Sequence, residues 1–368
     1  MIMQSNGGVM GQEQARRLSV NTILSGPAAG VNAALQLGRA TGLANLITCD
    51  VGGTSLDIAA IVDGRPTTAR EISLEYGLPI RVPMLDIRTV GAGGGSVAQI
   101  DPSGVLSIGP LSAGAEPGPV CYGMGGTLPT VTDAQVVLGR INAAAPIGER
   151  RDWRLERDAA RAAISEQIGH PLGLDPDQAA WAILQVANHK IASSLRMLTV
   201  EQGLDPRDFA LVAYGGAGPL HAGALVQSLE LRSAVIPPWP GITSALGCLV
   251  ADVRHDFVES VNARVNELDP AALYATLARQ VEQGRHLIEQ EGIAIEGVRA
   301  EFYADMAYEG QAHEVRTLLP EQLCGQAELQ AAFEQTYATQ YGLTVGNRPV
   351  RIVTLRTAVH GLRPAPQP

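Results

Sequence analysis

The run LITCDVGGTSLDIAAIVDG, Leu46 to Gly64, constrains the fold of this chain more than any other stretch. An apolar segment ends at Asp50, a tight turn Val51-Gly52-Gly53-Thr54-Ser55 follows, and a second apolar segment, Leu56 to Val62, runs back. This pattern predicts strand, turn and antiparallel strand. A plain Gly-Gly hairpin would account for the turn alone. It would not need a carboxylate at the strand end or paired hydroxyls beside the glycines. Two residues without Cβ atoms let backbone N–H groups converge on an anion, and Thr54 and Ser55 add hydroxyl donors. Asp50 is suited to hold water on a metal ion that rides with phosphate. The arrangement fits the phosphate tail of a nucleotide. Asp50 is the expected catalytic and metal-facing carboxylate, and Gly52, Gly53, Thr54 and Ser55 are the expected phosphate donors.

Bulk properties narrow the function classes. The net charge is −10 and there is no basic run, which argues against nucleic acid as a partner. Hydrophobic residues make up 46 % of the chain but aromatic ones only 4 %, so the core must be largely aliphatic. The 41 glycines cluster in a few loops, a sign of ligand-binding backbone. No apolar stretch is long enough to span a bilayer and no signal-peptide pattern opens the chain, so no membrane partner and a cytoplasmic location are expected. The four cysteines, Cys49, Cys121, Cys248 and Cys324, form no CxxC and read as reduced packing thiols.

The opening residues, to Arg17, show no clean helix or strand start. Helical composition begins after Pro27 and covers Ala28–Arg39. Residues 66–85 read as strand and loop. A second glycine loop, Gly91–Ser96, lies between apolar runs. Its amides suit an anion-binding nest, and its tightness equally suits a close turn under a partner lobe; both readings stand. Ser107–Ala134 is so rich in Gly and Pro that irregular, functional backbone is expected. Thr132-Asp133 looks like the start of a helix over Ala134–Ile141. Helices are predicted at Leu155–Ile168 and Pro176–Gln202, the latter with Ala180, Ile183, Leu184, Ala187, Ile191, Leu195 and Leu198 on one stripe. Phe209–Tyr214 reads as a strand, Gly215-Gly216-Ala217-Gly218-Pro219 as a turn, and Leu220–Leu229 as a helix. After a short strand at Ser233–Ile236, Gly241–Ser244 caps a helix reaching Val250. The rest predicts a helix at Pro270–Glu291, strands near Gly297–Ala307 and Glu314–Leu318, a helix at Glu328–Tyr341, a strand at Arg351–Val359 and a frayed tail.

Asp86, Asp133 and His221 each adjoin a glycine loop and are candidates for metal binding or acid–base work. Competing structural roles are a helix-start carboxylate for Asp133 and a carbonyl-bonded ring for His221. Arg88 suits either a substrate carboxylate or, by a slight preference, pairing with Asp86. Asp57 is expected to hold the turn. Nothing basic adjoins Cys121, which argues against a nucleophile. His189, His255 and His313 read as surface or core histidines.

The turns DVGGTSLD and AYGGAGPLHA resemble the phosphate and adenosine turns of the actin-like ATPase fold. The likeness is closer than a fold. MQSNGGVM, LSGPAAGV, DVGGTSLDIA, TVGAGGGSVAQID, GPLSAGAEPGPVCYGMGG, PTVTDAQVVLGRI, AYGGAGPLHA and GITSALGCLVADVRHD occur in order. Together they resemble the hydantoinase A / 5-oxoprolinase family, which includes N-methylhydantoinases, 5-oxoprolinases and subunits of acetone and acetophenone carboxylases. The resemblance implies an α/β chain: an actin-like (ribonuclease H-like) lobe over 46–262 with helical and glycine-rich insertions, a remnant of the preceding lobe over 1–45, and an α+β segment over 263–368. It implies ATP and Mg²⁺, with Asp50 toward the metal and Gly215, Gly216 and Gly218 against adenosine. Together with the glycine-loop candidates, the expected metal residues are Asp50 and Asp86 and the expected catalytic residues Asp50, Asp133 and His221. It also implies ATP-driven opening of a cyclic amide, or ketone carboxylation, or a remnant that binds nucleotide without turnover. A hydantoinase B-type partner subunit is expected. Family members carry an earlier phosphate turn of the form DxGGTFTD, absent here, so a fragment or split subunit completed by an upstream chain is expected. The usual DIHT reads Asp86-Ile87-Arg88-Thr89, which weakens a metal site there, and Leu56 replaces a common Thr.

Overall fold

The computed structural model describes residues 1–69, 72–73, 79–145, 153–346 and 348–364. These group into two compact units. One gathers the described residues of 26–77 and 84–248; the other gathers those of 1–25, 78–83 and 249–368. Neither expected break, at 45/46 or 262/263, is a boundary between them. Val9 pairs in parallel with Val253, which draws the opening residues to the carboxyl-terminal sheet, and a single strand, Val253–Arg264, runs through the second expected break.

The first unit is built on a twisted sheet. Its strands are β1 (Leu46–Val51), β2 (Leu56–Val62), β3 (Ile87–Val90), β4 (Ala210–Tyr214) and β5 (Ser233–Val235). Their order is β3-β2-β1-β4-β5. The first three are antiparallel neighbours, whereas β4 lies parallel to β1 and to β5. This is the ribonuclease H-like sheet of an actin-like ATPase lobe. β1 and β4 are central, so their sequences, LITCDV and ALVAY, are apolar on both faces rather than alternating.

Helices cover the sheet. α1 (Ser25–Thr41) approaches it closely through glycine: a Cβ on Gly38 would lie 2.7 Å from Leu46 Cδ1. Ile47, Cys49 and Val51, on the other face of β1, enter a core with Ile58, Leu211 and Ala213. That core is closed by Ile191, Leu195 and Leu198 of α4 (Pro176–Val200) and by Ala222, Leu225 and Leu229 of α5 (Gly218–Leu229). Each fully buried Leu or Ile contributes roughly 2 kcal/mol. α4 starts as its sequence demands, with Asp175 accepting from the Asp177 and Gln178 amides and Pro176 at the first turn.

Residues between β3 and α4 form an insertion with its own core. The stretch expected to be irregular contains a strand, Leu106–Ser112, antiparallel to Ser96–Ile100. α2 (Val131–Val137) starts three residues earlier than expected, because Thr130 and Asp133 make a reciprocal capping box. α3 (Arg157–Ile164) continues through a wide turn, Ser165–Gly169, into His170–Leu172. Ile108, Cys121, Val136, Ile164, Ile168 and Ile183 pack together beneath them.

The second unit is α+β. Its sheet orders the strands Ile2–Met3, Val9–Met10, Val253–Arg264, Val350–Leu362, Gly297–Tyr308 and Val315–Leu318. Helices Pro270–Gln290 and Gln326–Tyr341 belong to the same unit. The opening residues, which show no clean helix or strand start in the sequence, form a short hairpin and the helix Gln12–Arg17. The buried Asn6 donates to Asp256, which Arg254 also binds. Parts of two other readings, residues 70–71 and 74–78 of the strand-and-loop stretch and 365–368 of the tail, lie outside the described residues. Among the described residues no helix is long and apolar enough to cross a membrane.

α6 (Thr243–Val250) meets α1 at its Gly247. A Cβ on Gly247 would collide with the Ala29 carbonyl, which is backbone and cannot rotate away. Gly247→Ala is therefore expected to cost about 3 kcal/mol in denaturant unfolding. A loss below about 0.5 kcal/mol would show that the helices do not meet there.

Candidate functional site

β1 and β4 are parallel and end level, with Tyr214 opposite Asp50. Their following turns, Gly52–Ser55 and Gly215–Gly218, therefore emerge side by side at the carboxyl edge, where open α/β sheets bind ligands. The Ala217 N–H donates to Val51 O at 2.9 Å and joins the two turns. Gly215 adopts φ +82°, and any Cβ there would strike the Asp50 carboxylate and the Val51 carbonyl. A Cβ on Gly218 would lie 3.1 Å from Cys49 O. Gly216 faces open space.

The Gly91–Ser96 loop closes on the Gly52–Ser55 turn. The Gly94 N–H donates to Gly52 O at 3.0 Å and the Gly95 N–H to Gly53 O at 2.6 Å. A Cβ on Gly93 would lie 2.7 Å from Gly53 O, so backbone this close requires glycine. The Gly93 N–H is taken by Ser96 Oγ at 2.9 Å, and those of Ala92 and Ser96 by Val90 and Gly93 carbonyls. Of the two readings of this loop, the close turn fits: its amides from Ala92 to Ser96 already have protein acceptors. They face this unit's own Gly52-Gly53 turn. Thr132, through its N–H and Oγ1, holds Gly94 O from the other side at 2.7 and 2.8 Å.

The turn thus gripped keeps two unpaired donors among the described residues. Gly52 N–H bonds Ser55 O, but Gly53 and Thr54 are exposed, and their N–H groups have no protein acceptor among the described residues. Thr54 Oγ1 lies 3.5 Å from Ser112 Oγ. Asp50, partly buried, accepts from Ser244 Oγ at 3.1 Å. It stands directly across from Asp57 on β2. Burial first, and the Asp57 charge as well, raise the Asp50 pKa, while the Ser244 hydrogen bond opposes them. Asp57 is likewise raised by burial against the bond it accepts from Thr89, its neighbour on β3.

The other candidates occupy different surroundings. Asp133 is fully buried and accepts from the Val120, Cys121 and Thr130 amides and from Thr130 Oγ1. These bonds pin the loop before α2, which is the helix-start role. His221, buried on α5, pairs its Nδ1 with Asn188 Oδ1 of α4 at 2.6 Å. Burial, with a smaller effect of Arg140, pulls its pKa down to about 4. Asp86 accepts from Gln202 Nε2 at 2.8 Å. Arg88 lies 3.9 Å from Asp86 and makes its short contact, 2.5 Å, with Glu201 instead. Among the described residues no three His, Cys, Asp or Glu side chains converge as a metal cage. Cys121 is buried, and burial and Asp133 push its thiol pKa up.

Two contributors escaped the sequence reading. Ser244 was taken only as a cap and reaches Asp50 across 194 residues. Lys190, the sole lysine of the chain, donates to Gly91 O and Ile108 O, both at 3.0 Å, and so fastens the base of the clamping loop. Its uniqueness in a chain otherwise charged by arginine was the available signal.

Three glycine loops are thus gathered at the carboxyl edge of the sheet. The hydantoinase/oxoprolinase family model matches residues 1–257, and the chain belongs to that family. It is 36 % identical to the caprolactamase subunit alpha of Pseudomonas jessenii over 97 % of this chain and 52 % of that protein. It is 32 % identical to 5-oxoprolinase 1 of Arabidopsis thaliana over 97 % of this chain and 29 % of that one. The crystal structure of the ATP-dependent caprolactamase from P. jessenii superposes with a TM-score of 0.85 at 35 % identity, covering 99 % of this chain and 53 % of that one. The nucleotide-free acetone carboxylase structure gives 0.76 at 28 %, covering 100 % and 53 %. The chain spans about half the length of the first curated relatives it matches.

Two expectations follow. The folded pKa of Asp50 is above its unfolded value, so its ionised form costs stability once pH exceeds the folded pKa. Asp50→Asn should raise Tm by a few degrees at neutral pH; an unchanged or lower Tm would contradict the strained carboxylate. The folded His221 pKa is below its unfolded value, so stability should fall as pH drops from 6.5 toward about 4. The slope is at most ~1.4 kcal/mol per pH unit. His221→Gln should flatten that part of a stability–pH curve, and a slope equal to wild type would contradict a buried neutral imidazole.

Proposed function

We propose that this chain supplies the nucleotide-binding lobe of an ATP-dependent enzyme that opens a cyclic amide, such as a hydantoin, 5-oxoproline or a lactam. The observation that carries this reading is the pair of exposed residues, Gly53 and Thr54, whose amides have no acceptor among the described residues, on the turn that follows Asp50. ATP would place its terminal phosphates on these amides and on the Thr54 and Ser55 hydroxyls, with adenosine passing over Gly215, Gly216 and Gly218. With no cluster of three His, Cys, Asp or Glu side chains among the described residues, the donor set fits Mg²⁺ held chiefly by phosphate and water, with Asp50 as its protein carboxylate. The ion would neutralise phosphate charge during transfer.

Ring amides resist hydrolysis. ATP would phosphorylate the carbonyl oxygen and leave as ADP, and water would add to the activated carbon. The ring C–N bond would break with the nitrogen taking up a proton, and hydrolysis of the resulting acyl phosphate would give the carboxylate and free phosphate. This chain's part is positioning: the clamped turn holds the phosphates without rearranging, and Asp50 orients the metal's water shell. Asp133 and Asp86 are assigned scaffold roles, given the partners that already occupy them. His221 is retained as a proton-acceptor candidate: with Nδ1–H committed to Asn188 Oδ1, its Nε2 carries the lone pair at neutral pH. A second reading, a ketone carboxylase subunit, draws support from the likeness to acetone carboxylase. Either activity would require a second lobe and a hydantoinase B-type partner, and would operate in the cytoplasm, where ATP is supplied.

The test is ATP turnover by the complete assembly with 5-oxoproline, hydantoins, lactams, or ketones plus bicarbonate. Turnover driven by a cyclic amide is expected; turnover only with ketone and bicarbonate would favour the second reading. Asp50→Ala should lower kcat by about 100-fold or more. Gly216→Val, whose side chain enters open space and leaves the fold intact, should raise the KM for ATP; unchanged values in either variant would contradict the assignment.

A further inference from the structure

The chain leaving β5 carries an unusual surface. Within seven residues it exposes three large apolar side chains: Ile236 (48 %), Trp239 (63 %) and Ile242 (55 %). Three prolines, Pro237, Pro238 and Pro240, stiffen the same segment. Exposed aromatic and aliphatic groups clustered this densely mark a contact surface.

Its position identifies the contact. β4 and β5 are parallel, with Val212 opposite Val235, so the segment emerges at the same carboxyl edge as the Gly215–Gly218 turn. The Gly215 N–H donates to Pro240 O at 2.9 Å, so the residue after Trp239 is bonded directly to that turn. The Trp239 carbonyl accepts from the Ile242 N–H at 3.1 Å and from Thr243 Oγ1 at 3.1 Å, which fixes the loop. Five residues beyond Trp239, Ser244 bonds Asp50. One continuous segment therefore links the carboxylate, the adenosine-side glycines and an exposed indole. Gly216, facing open space, leaves room between turn and solvent.

We propose that Trp239 and Ile242 form the face against which the purine base of the nucleotide packs, making them specificity-determining residues of this site. The inference rests on the phosphate reading of the Gly52–Ser55 turn and extends it to the other end of the ligand. A planar base takes its affinity from stacking on aromatic surface. Neither Trp153, whose indole N–H donates to Tyr122 O, nor Trp181, which lies under the Arg140 guanidinium, adjoins this turn by any such bond.

The test compares Mg·ATP with Mg·tripolyphosphate, which has the phosphates and no base, by calorimetric titration of the full chain. Trp239→Ala should weaken Mg·ATP about tenfold and leave Mg·tripolyphosphate unchanged. Trp239→Phe should recover most of the loss. The exposed side chain makes no hydrogen bond among the described residues, so both variants should fold. Unchanged Mg·ATP affinity in Trp239→Ala would overturn the base assignment while leaving the phosphate turn intact. Equal weakening of both ligands would also overturn it, because Trp239 would then act on the turn itself. If wild type binds neither ligand, the phosphate reading fails and the base assignment with it.

Discussion

Two backbone hydrogen bonds, Gly94 N–H to Gly52 O and Gly95 N–H to Gly53 O, set the character of this molecule. They tie a loop from beyond β3 onto the turn between β1 and β2, and they consume the turn's carbonyls. The amides of Gly53 and Thr54, on exposed residues, are left without an acceptor among the described residues. A free Gly-Gly turn would sample many conformations and lose entropy on binding an anion. Pinned from beneath, it has already lost that freedom during folding. The glycines of the clamping loop follow from this contact, since a Cβ on Gly93 would lie 2.7 Å from Gly53 O. Thr132 and Lys190 hold the clamp in turn, through Gly94 O and Gly91 O.

The electrostatics point the same way. Asp50 and Asp57 face each other across two strands, and burial raises both pKa values. Stability alone would favour an amide or a small apolar residue at Asp50. A carboxylate kept there, at a sheet edge beside open amides, is the sort of local cost that functional sites carry. A cation accompanying phosphate would relieve it. The buried polar groups elsewhere in this unit are different in kind: Asp133 is satisfied by three amides and a hydroxyl and has no valence left for chemistry.

Much of this was legible in the sequence because it is local. Strand, turn and return strand over Leu46–Val62, the stripe of Pro176–Val200 and the glycine turn after Tyr214 each lie within one short window. The sheet order depended on resemblance, since parallel pairing of β1 with β4 joins residues more than 150 positions apart. What remained hidden is tertiary. Composition cannot tell whether the amides of Gly91–Ser96 meet an anion or another backbone; only the approach of Gly52 and Gly53 decides it. Arg88 sits two residues from Asp86 in the chain, yet its short contact is with Glu201, which the end of α4 brings alongside. The opening residues show no clean strand start because a two-residue strand has meaning only beside its partner, Val253.

The most direct test of a preset phosphate turn is amide NMR of the protein labelled with ¹⁵N in glycine and threonine, titrated with Mg·ATP. The Gly53 and Thr54 resonances should shift and become protected from solvent exchange, while Gly94 and Gly95, already bonded, stay in place. Movement of Gly94 and Gly95 with Gly53 and Thr54 unaffected would contradict it and return the anion to the other loop.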